Sequence, residues 1–200
     1  MKRKSVTARR KIIVHIATSA DGYIARPDGD IEWLTDRPAP KGFYGIPAFE
    51  RTIDTILFGR KTFDASLTMG ASFDGKKQNF VFSRQPPPPV VPSGVEFVAE
   101  PVPSFADRLR RGSGKNIWMM GGGEIIAAFL DAGAIDEFII SVVPVFIGDG
   151  IPLIARRHRQ TPLSLQSVTP FPDGVVQIHY HVLPSGRATR ARSSRTPRQR

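Results

Sequence analysis

The chain has 200 residues, of which 40% are hydrophobic, and this is enough to build one globular domain with a buried core. It has no cysteine, which excludes disulfide bonds and thiolate sites, and no apolar run approaches the roughly 20 residues that span a bilayer. The net charge of +10 favours nucleic-acid binding, but the two ends of the chain, residues 1–11 and 187–200, hold 12 of the 28 basic residues and no acid.

This charge distribution predicts two basic, disordered tails around a slightly acidic body. We place the tails at residues 1–10 and 185–200 and a single domain at residues 11–184. Weak, salt-sensitive contact with nucleic acid or another polyanion through the tails is the minor interpretation. The apolar part of the N-terminal segment is too short for a signal sequence, so we expect a cytoplasmic protein without membrane contact.

The first half of the chain is predicted to alternate strands with short helices. The predicted strands are Lys11–Ala17, Thr55–Phe58 and Asn79–Phe82, and the predicted helices are Ile46–Ile53 and Arg60–Ala65. A long turn-rich loop follows the first strand, and the four prolines at 86–89 predict an extended surface linker.

The second half continues the alternation and then ends in a hairpin. Strands are predicted at Val95–Ala99, Asn116–Met120 and Glu137–Phe146, with helices at Ser104–Arg111, capped by Ser104, and at Gly123–Ala132. The last two strands, Leu163–Pro170 and Val175–Leu183, flank a Pro-Asp-Gly turn. The predicted fold class is α/β, a mixed and mostly parallel sheet flanked by helices, with an antiparallel C-terminal edge.

Three consecutive glycines, Gly121, Gly122 and Gly123, stand between a buried strand and a helix. At such a strand end, bare amides and the positive end of the helix dipole favour a phosphate group. The spacing departs from the dinucleotide fingerprint, because Ile126 stands where that fingerprint needs glycine or alanine. The segment is therefore a phosphate site of another kind or only a tight strand-to-helix turn.

Two other strand ends carry phosphate donors. Gly59 is followed by Arg60, Lys61 and Thr62, and the next strand is followed by Ser83 and Arg84. Each group taken alone is typical of a solvated surface charge. Because parallel strands place their carboxyl ends along one edge, one ligand with several phosphates, such as NADPH, would reach all three.

Asp21 and the histidines are weaker candidates. Asp21 precedes glycine, which is typical of a turn, although its carboxylate would also suit a hydrogen bond to a polar substrate. His179 and His181 alternate on one strand face as metal ligands do, but the sequence offers no third ligand nearby, so we expect solvated or structural histidines and no metal. His15 is interpreted as a packed strand residue.

Five segments in order resemble the dihydrofolate-reductase-like superfamily. The chain is most similar to bacterial homologues of the reductase domain of the bifunctional riboflavin-biosynthesis deaminase/reductase, over roughly residues 11–183. The segments are ATSADGYIA at 17–25, ILFGRKTF at 56–63, NFVFSR at 79–84, MGGGE at 120–124 and PVFIGDGIPL at 144–153.

The resemblance implies an eight-stranded sheet, a homodimer and an NADPH-dependent oxidoreductase that transfers a hydride to a small heterocyclic, pyrimidine-like or pterin-like substrate. It assigns Asp21 to the substrate. The cofactor-binding residues that it implies are Ala17, Gly22, Ile24, Gly59, Arg60, Lys61, Thr62, Ser83, Arg84, Gly121, Gly122, Gly123, Glu124 and Ile125.

Two other functions stay open. One is dihydrofolate reduction, although Glu50 is the one acid in the region where dihydrofolate reductases carry their pterin-binding carboxylate, and its offset from the second strand looks too short. The other is a protein without turnover that binds nucleotides, or binds polyanions through its tails.

Overall fold

A computed structural model describes residues 9–73 and 75–184 of the chain. An eight-stranded sheet organises this part, with the strand order β5-β4-β3-β6-β1-β7-β10-β9. Two further short strands, β2 and β8, pair separately. The strands are β1 Ile12–Ser19, β2 Tyr23–Ala25, β3 Ile53–Gly59, β4 Gln78–Phe82, β5 Val95–Val98, β6 Asn116–Gly121, β7 Glu137–Val143, β8 Ile151–Pro152, β9 Leu163–Pro170 and β10 Val176–Val182.

Helices lie on both faces of the large sheet. They are α1 Glu32–Thr35, α2 Ile46–Glu50, α3 Arg60–Thr68, α4 Val102–Arg111 and α5 Gly123–Asp131, with a 3-10 turn at Phe43–Gly45. No helix in the described residues is long and apolar enough to cross a membrane.

The core consists of two apolar layers divided by the sheet. Because side chains alternate along a strand, Ile12 and Val14 of β1 join the layer under α4 and α5, while Ile13 joins the layer under α2 and α3. Strand β1 pairs in parallel with both β6 and β7, so it lies at the centre of the molecule. Strand β10 is antiparallel to β7 and to β9.

The predicted fold class is confirmed: the sheet is mixed and mostly parallel, with an antiparallel C-terminal edge. Several predicted boundaries were wrong. Helix α4 begins at Val102 after the extended residue Pro101, with no side-chain cap, so Ser104 lies inside the helix. Helix α2 ends at Glu50, and β7 ends at Val143 before Pro144.

Arg9 and Arg10, which the charge pattern assigned to the N-terminal tail, contact the domain. Arg10 is only 6% exposed, and its guanidinium donates to the carbonyl oxygens of Lys115 (2.6 Å) and Leu109 (3.4 Å). It also binds Asp54 and the hydroxyl of Thr55. The domain therefore begins before residue 11, while the rest of both predicted tails, residues 1–8 and 185–200, lies outside the described residues.

Candidate functional site

The carboxyl ends of β3 and β6 meet backbone to backbone. These strands are neighbours in the sheet, and Phe58 pairs with Gly121. A Cβ built at Gly59 would lie 3.4 Å from the amide nitrogen of Gly122 and 3.6 Å from the carbonyl oxygen of Gly121. The two strand ends that the sequence singled out as phosphate sites are thus brought together by the fold.

Each of these strands leads directly into a nine-residue helix. Gly59 is the extended residue before α3, and Gly122 is the extended residue before α5. The first helical hydrogen bond of α5 runs from the amide of Ile126 to the carbonyl oxygen of Gly122 (3.1 Å). The N–H groups of Gly123, Glu124 and Ile125 precede that bond, as the first amides of any helix do, and are suited to an anion.

The three glycines have different structural roles. A Cβ on Gly123 would overlap the carbonyl oxygen of Pro152, because the chain after β8 crosses the start of α5, and Ala155 donates its amide to Gly123 (3.1 Å). Gly121 has a φ of 127°, a conformation that side chains disfavour, and the peptide bond between Gly121 and Gly122 is cis. Gly123 is thus needed for chain packing, which leaves Gly122 as the bare position facing the other strand end.

Ile24 and Thr62 flank this bare position. A Cβ on Gly122 would come within 3.2 Å of the Thr62 hydroxyl oxygen and 3.7 Å of the end of the Ile24 side chain. Gly22 lies two residues before Ile24, in the turn that leaves β1. Ala17 is half-buried on β1 opposite Ser141, so it lies in the same sheet near the end of that strand.

The basic side chains predicted to bind the cofactor lie nearby, but they differ in their partners and exposure. Arg60 bonds Asp64 one turn along α3, with its Nε 2.8 Å from Oδ2, and its guanidinium lies 5.5 Å from the Phe97 ring centroid. Lys61 and Arg84 are exposed. The Ser83 hydroxyl donates to the carbonyl oxygen of Gln85 (2.8 Å) and accepts from its amide (3.0 Å), so it closes a local turn.

Glu124, another predicted cofactor-binding residue, directs its side chain to Arg157. The carboxylate lies 3.2 Å from the Arg157 guanidinium, which also binds Asp131 at the far end of α5 (2.6 Å). Only the backbone of Glu124 therefore faces the strand-end site.

Asp21 joins two loops at this edge of the sheet. Its carboxylate accepts hydrogen bonds from the Ser19 hydroxyl (2.5 Å) and from the amides of Gly148 (2.8 Å) and Ile147 (3.2 Å). The Ser19 hydrogen bond, with those from the two amides, lowers the pKa of Asp21 below its ordinary value. Asp21 therefore stays ionised at neutral pH and fastens the turn after β1 to the loop after β7. Its predicted contact with substrate stays a prediction.

A cavity of about 240 Å³ lies along the face of β3, β4 and β6 that α3 covers, from their carboxyl ends toward the amino ends of β3 and β4. Phe58 and Met120, which directly precede Gly59 and Gly121, line it, as do the aromatic residues Phe73 and Trp118. Its charged wall is Glu50, at the end of α2, paired with Lys77 at 3.9 Å. A larger cavity of about 420 Å³ lies at the opposite edge, where two of its arginines, Arg9 and Arg110, are paired with Asp136.

Sequence reasoning missed most of this cavity wall. Lys77 and Phe73 lie in the irregular segment between α3 and β4, where no pattern sets them apart. Glu50 was set aside because its offset from β3 looked too short, yet the short helix α2 carries it to the cavity. An acid at the end of a short helix, just before a buried strand, was the one signal available.

The chain is similar to known proteins over most of its length. The model of the RibD C-terminal domain family matches residues 10–100 and 102–177. YwjB of Bacillus subtilis (strain 168), itself uncharacterised, is 38% identical over 172 residues, which is 86% of this chain and 97% of YwjB.

Two solved structures are similar over most of their length. A Shewanella sp. PV-4 protein that carries the provisional name riboflavin biosynthesis protein is 31% identical, with a TM-score of 0.74, and the match covers 87% of this chain and 99% of that one. Dihydrofolate reductase from Enterococcus faecalis, solved with NADP(H), is 16% identical, with a TM-score of 0.62, and the match covers 86% of this chain and 96% of that one. The second likeness shows the fold alone.

Proposed function

This chain belongs to the RibD C-terminal domain family, and from that membership we propose that it is a reductase that transfers a hydride from NADPH to a small heterocyclic substrate. The observation that carries the proposal is the contact between two strand ends, at Gly59 and Gly122, each of which opens a helix. Two helix N-termini side by side create a site for two phosphate groups, which is the feature that a dinucleotide requires.

The residues at this edge fit the cofactor. The amides at the start of α5, from Gly121 to Ile125, would hold the pyrophosphate, because Gly122 has no side chain to shield its backbone beside the Thr62 hydroxyl. The start of α3, Gly59 to Thr62, together with Ser83 and Arg84, would hold the adenosine phosphate. Ala17, Gly22 and Ile24 would pack against the nicotinamide ring, since Ile24 adjoins Gly122.

The bound nicotinamide supplies the hydride, and the protein positions the substrate and excludes water. We place the substrate in the cavity that Phe58 and Met120 line next to Gly59 and Gly121. Its walls are aromatic at Phe58, Phe73 and Trp118 and charged at Glu50 and Lys77. A carboxylate and an ammonium side by side suit a ring that carries both hydrogen-bond donors and acceptors, such as an aminopyrimidine. Because the Ser19 hydroxyl and the loop amides lower the pKa of Asp21, we assign this carboxylate to positioning the loop and propose solvent as the source of the proton.

Dihydrofolate reduction is a second candidate, favoured by Glu50. The structure places this acid on the cavity wall, where it is able to bind the amino group of a pterin. The cavity volume argues for the smaller substrate, because about 240 Å³ is below the roughly 300–1,000 Å³ of pockets that enclose drug-sized ligands. Turnover of NADPH with dihydrofolate and with a ribosylaminopyrimidine, whose open-chain sugar offers a C=N carbon to the hydride, compared at equal concentration, distinguishes the two.

The first test is thermal stabilisation by the cofactor. A ligand that binds only the folded protein at 100 times its Kd stabilises it by about 2.7 kcal/mol. For a chain of this size that raises the Tm by about 5–10 °C. We expect this shift with NADPH and a smaller one with NADH. Absence of any shift at saturating NADPH would overturn the proposal.

Two variants test the assignment of residues. Gly122→Ala adds a methyl group where the phosphate is expected, at a backbone conformation that alanine tolerates, so NADPH affinity should fall at least about tenfold with little change in the Tm of the free protein. Gly112→Ala, at the opposite edge and also at a permitted conformation, is the matched control. Arg84→Ala should weaken NADPH more than NADH, whereas the exposed Arg111→Ala should change neither.

A further inference from the structure

Two histidines and a glutamate converge at the edge of the sheet opposite the cofactor site. His179 and His181 project from the same face of β10, because they are two residues apart. Strand pairing sets His181 directly opposite Glu137, the first residue of β7. The Nε2 atom of His179 lies 2.9 Å from Oε2 of Glu137, and that of His181 lies 3.2 Å from Oε1. The third side chain that the sequence did not reveal is thus present, while the expectation of solvated or structural histidines stays a prediction.

The spacing of these donor atoms suits a small divalent ion. All three lie within 4.8 Å of one another. Zinc binds imidazole nitrogen and carboxylate oxygen at about 2.0–2.2 Å in tetrahedral geometry, which sets ligand atoms about 3.3 Å apart. The two Glu137 contacts, one to each carboxylate oxygen, are close to that separation, and rotation of the partly exposed histidine rings would bring the three donor atoms around one ion. We propose that Glu137, His179 and His181 form a binding site for a divalent transition metal, with zinc the best fit, completed by water.

The Glu137 carboxylate already attracts one cation, the ammonium of Lys11, and a metal ion would take the place of that ammonium. Glu137 has only 7% of its side chain exposed, and the ammonium of Lys11 lies 2.6 Å from its Oε1. Lys11 itself is half exposed, so its side chain is free to swing into solvent when a metal takes its place. Lys11 is therefore a competitor for the metal, and its removal strengthens metal binding.

The strands make the arrangement rigid. Glu137 pairs with Ile13 of β1 on one side and with His181 of β10 on the other, so two neighbouring strands fix the carboxylate. Three donors held on packed strands lose little freedom on binding, which favours affinity.

The site is separate from hydride transfer. Glu137 is at the amino end of β7, and Val143, at its other end, pairs with Ser19 next to the cofactor edge. Six residues of strand separate these ends by about 20 Å. A metal there ties β10 to β7 and so holds the terminal hairpin onto the sheet.

The test is calorimetric titration of the full, tag-free protein with zinc chloride after removal of metal by a chelator. We expect one site per chain. His179→Ala and His181→Ala should each weaken zinc binding at least about tenfold, since even indirect partners of a metal ligand contribute 10- to 100-fold. His158→Ala, which changes an exposed histidine outside the cluster, is the matched control and should bind as the wild type does.

Lys11→Met keeps Glu137 in place and should bind zinc more tightly than the wild type. Equal affinity in these two proteins would overturn Lys11 as a competitor for the metal. Zinc binding that survives in both histidine variants, or a wild type that binds none, would overturn the site. Because these variants differ in surface-facing side chains, circular dichroism of each metal-free protein checks that it is folded before titration.

Discussion

His15 is a histidine enclosed on the face of β1, only 5% exposed. Phe49 packs edge-on against its ring at 4.6 Å, Trp118 is tilted at 6.3 Å, and Gln177 from β10 lies 3.4 Å from its Nε2. Burial, with the nearby charge of His179 adding, lowers the pKa of His15 to about 4. The imidazole is therefore neutral in the folded protein at every pH in which the enzyme is expected to work.

This enclosure predicts a loss of stability in mild acid. Between pH 6.5 and pH 4 the unfolded chain protonates His15 and the folded chain does not, so the free energy of unfolding falls by up to about 3 kcal/mol from this residue, and above pH 6.5 the effect vanishes. His15→Phe should remove that loss. Urea unfolding of both proteins at pH 7 and pH 4.5, with chelator present, measures the difference. A parallel pH dependence in the two proteins would contradict the assignment.

The residues of the candidate site were predictable to different degrees. Gly59 and Gly122 were visible because glycine at a strand-to-helix junction is a local signal. Glu137 was not, because its partners His179 and His181 are more than 40 positions away and meet it only through the register of β10 on β7. Glu50 and Lys77 face one cavity for a similar reason, since they come from different elements.

At the scale of the elements, Arg10 joins the start of β1 to three neighbouring segments. It bonds Lys115 before β6, Asp54 and Thr55 in β3, and Leu109 in α4. Arg9, one residue earlier, makes a single exposed pair with Asp136 at 3.0 Å. Two adjacent arginines of the same charge thus have opposite environments.

We expect Arg10→Ala to lower the free energy of unfolding by about 3 kcal/mol, because it leaves buried acceptors without their donor. Arg9→Ala should change it by less than about 0.5 kcal/mol, as exposed pairs contribute little. Chemical denaturation followed by circular dichroism gives both values. Similar losses in the two variants would show that Arg10 is not the anchor of β1.

The long elements were predictable and the short ones were not. Strands such as β1 and β6 are mostly apolar runs, which mark buried parallel strands from sequence alone. Strands β2 and β8, of three and two residues, are too short for any periodicity. The start of α4 was misplaced because Ser104 resembles a cap, although Pro103, in the first turn of the helix, is itself typical of a helix start.

For the whole molecule, nearly all of the net positive charge comes from residues outside the described domain. Residues 1–8 and 185–200 hold nine of the 28 basic residues and no acid, so residues 9–184 carry 19 basic residues against 18 acidic ones. A net charge close to +1 gives the domain itself little attraction for polyanions. The fold class was predictable from five motifs in order, whereas the cavity, built from several separate segments, needed coordinates.

Removing both ends therefore separates two properties of the protein. A chain of residues 9–184 should lose salt-sensitive binding to heparin and keep the Tm and the NADPH affinity of the full chain. Affinity chromatography at increasing salt and a thermal scan with NADPH measure these. Undiminished heparin binding would place the polyanion site on the domain, with the arginine-lined cavity as its first candidate.

Asp21 connects its own turn to the loop at Ile147 and Gly148 through hydrogen bonds. The pairing of β2 with β8, with Tyr23 opposite Pro152 and Ala25 opposite Ile151, adds to this connection. The two stretches are more than 120 positions apart in the chain, yet each is shaped by the other. A chimera that takes residues 19–25 and 144–153 together from a relative such as YwjB should therefore fold stably. A chimera that takes only one of the two stretches should be less stable. In a family tree, substitutions in the two stretches should appear on the same branches.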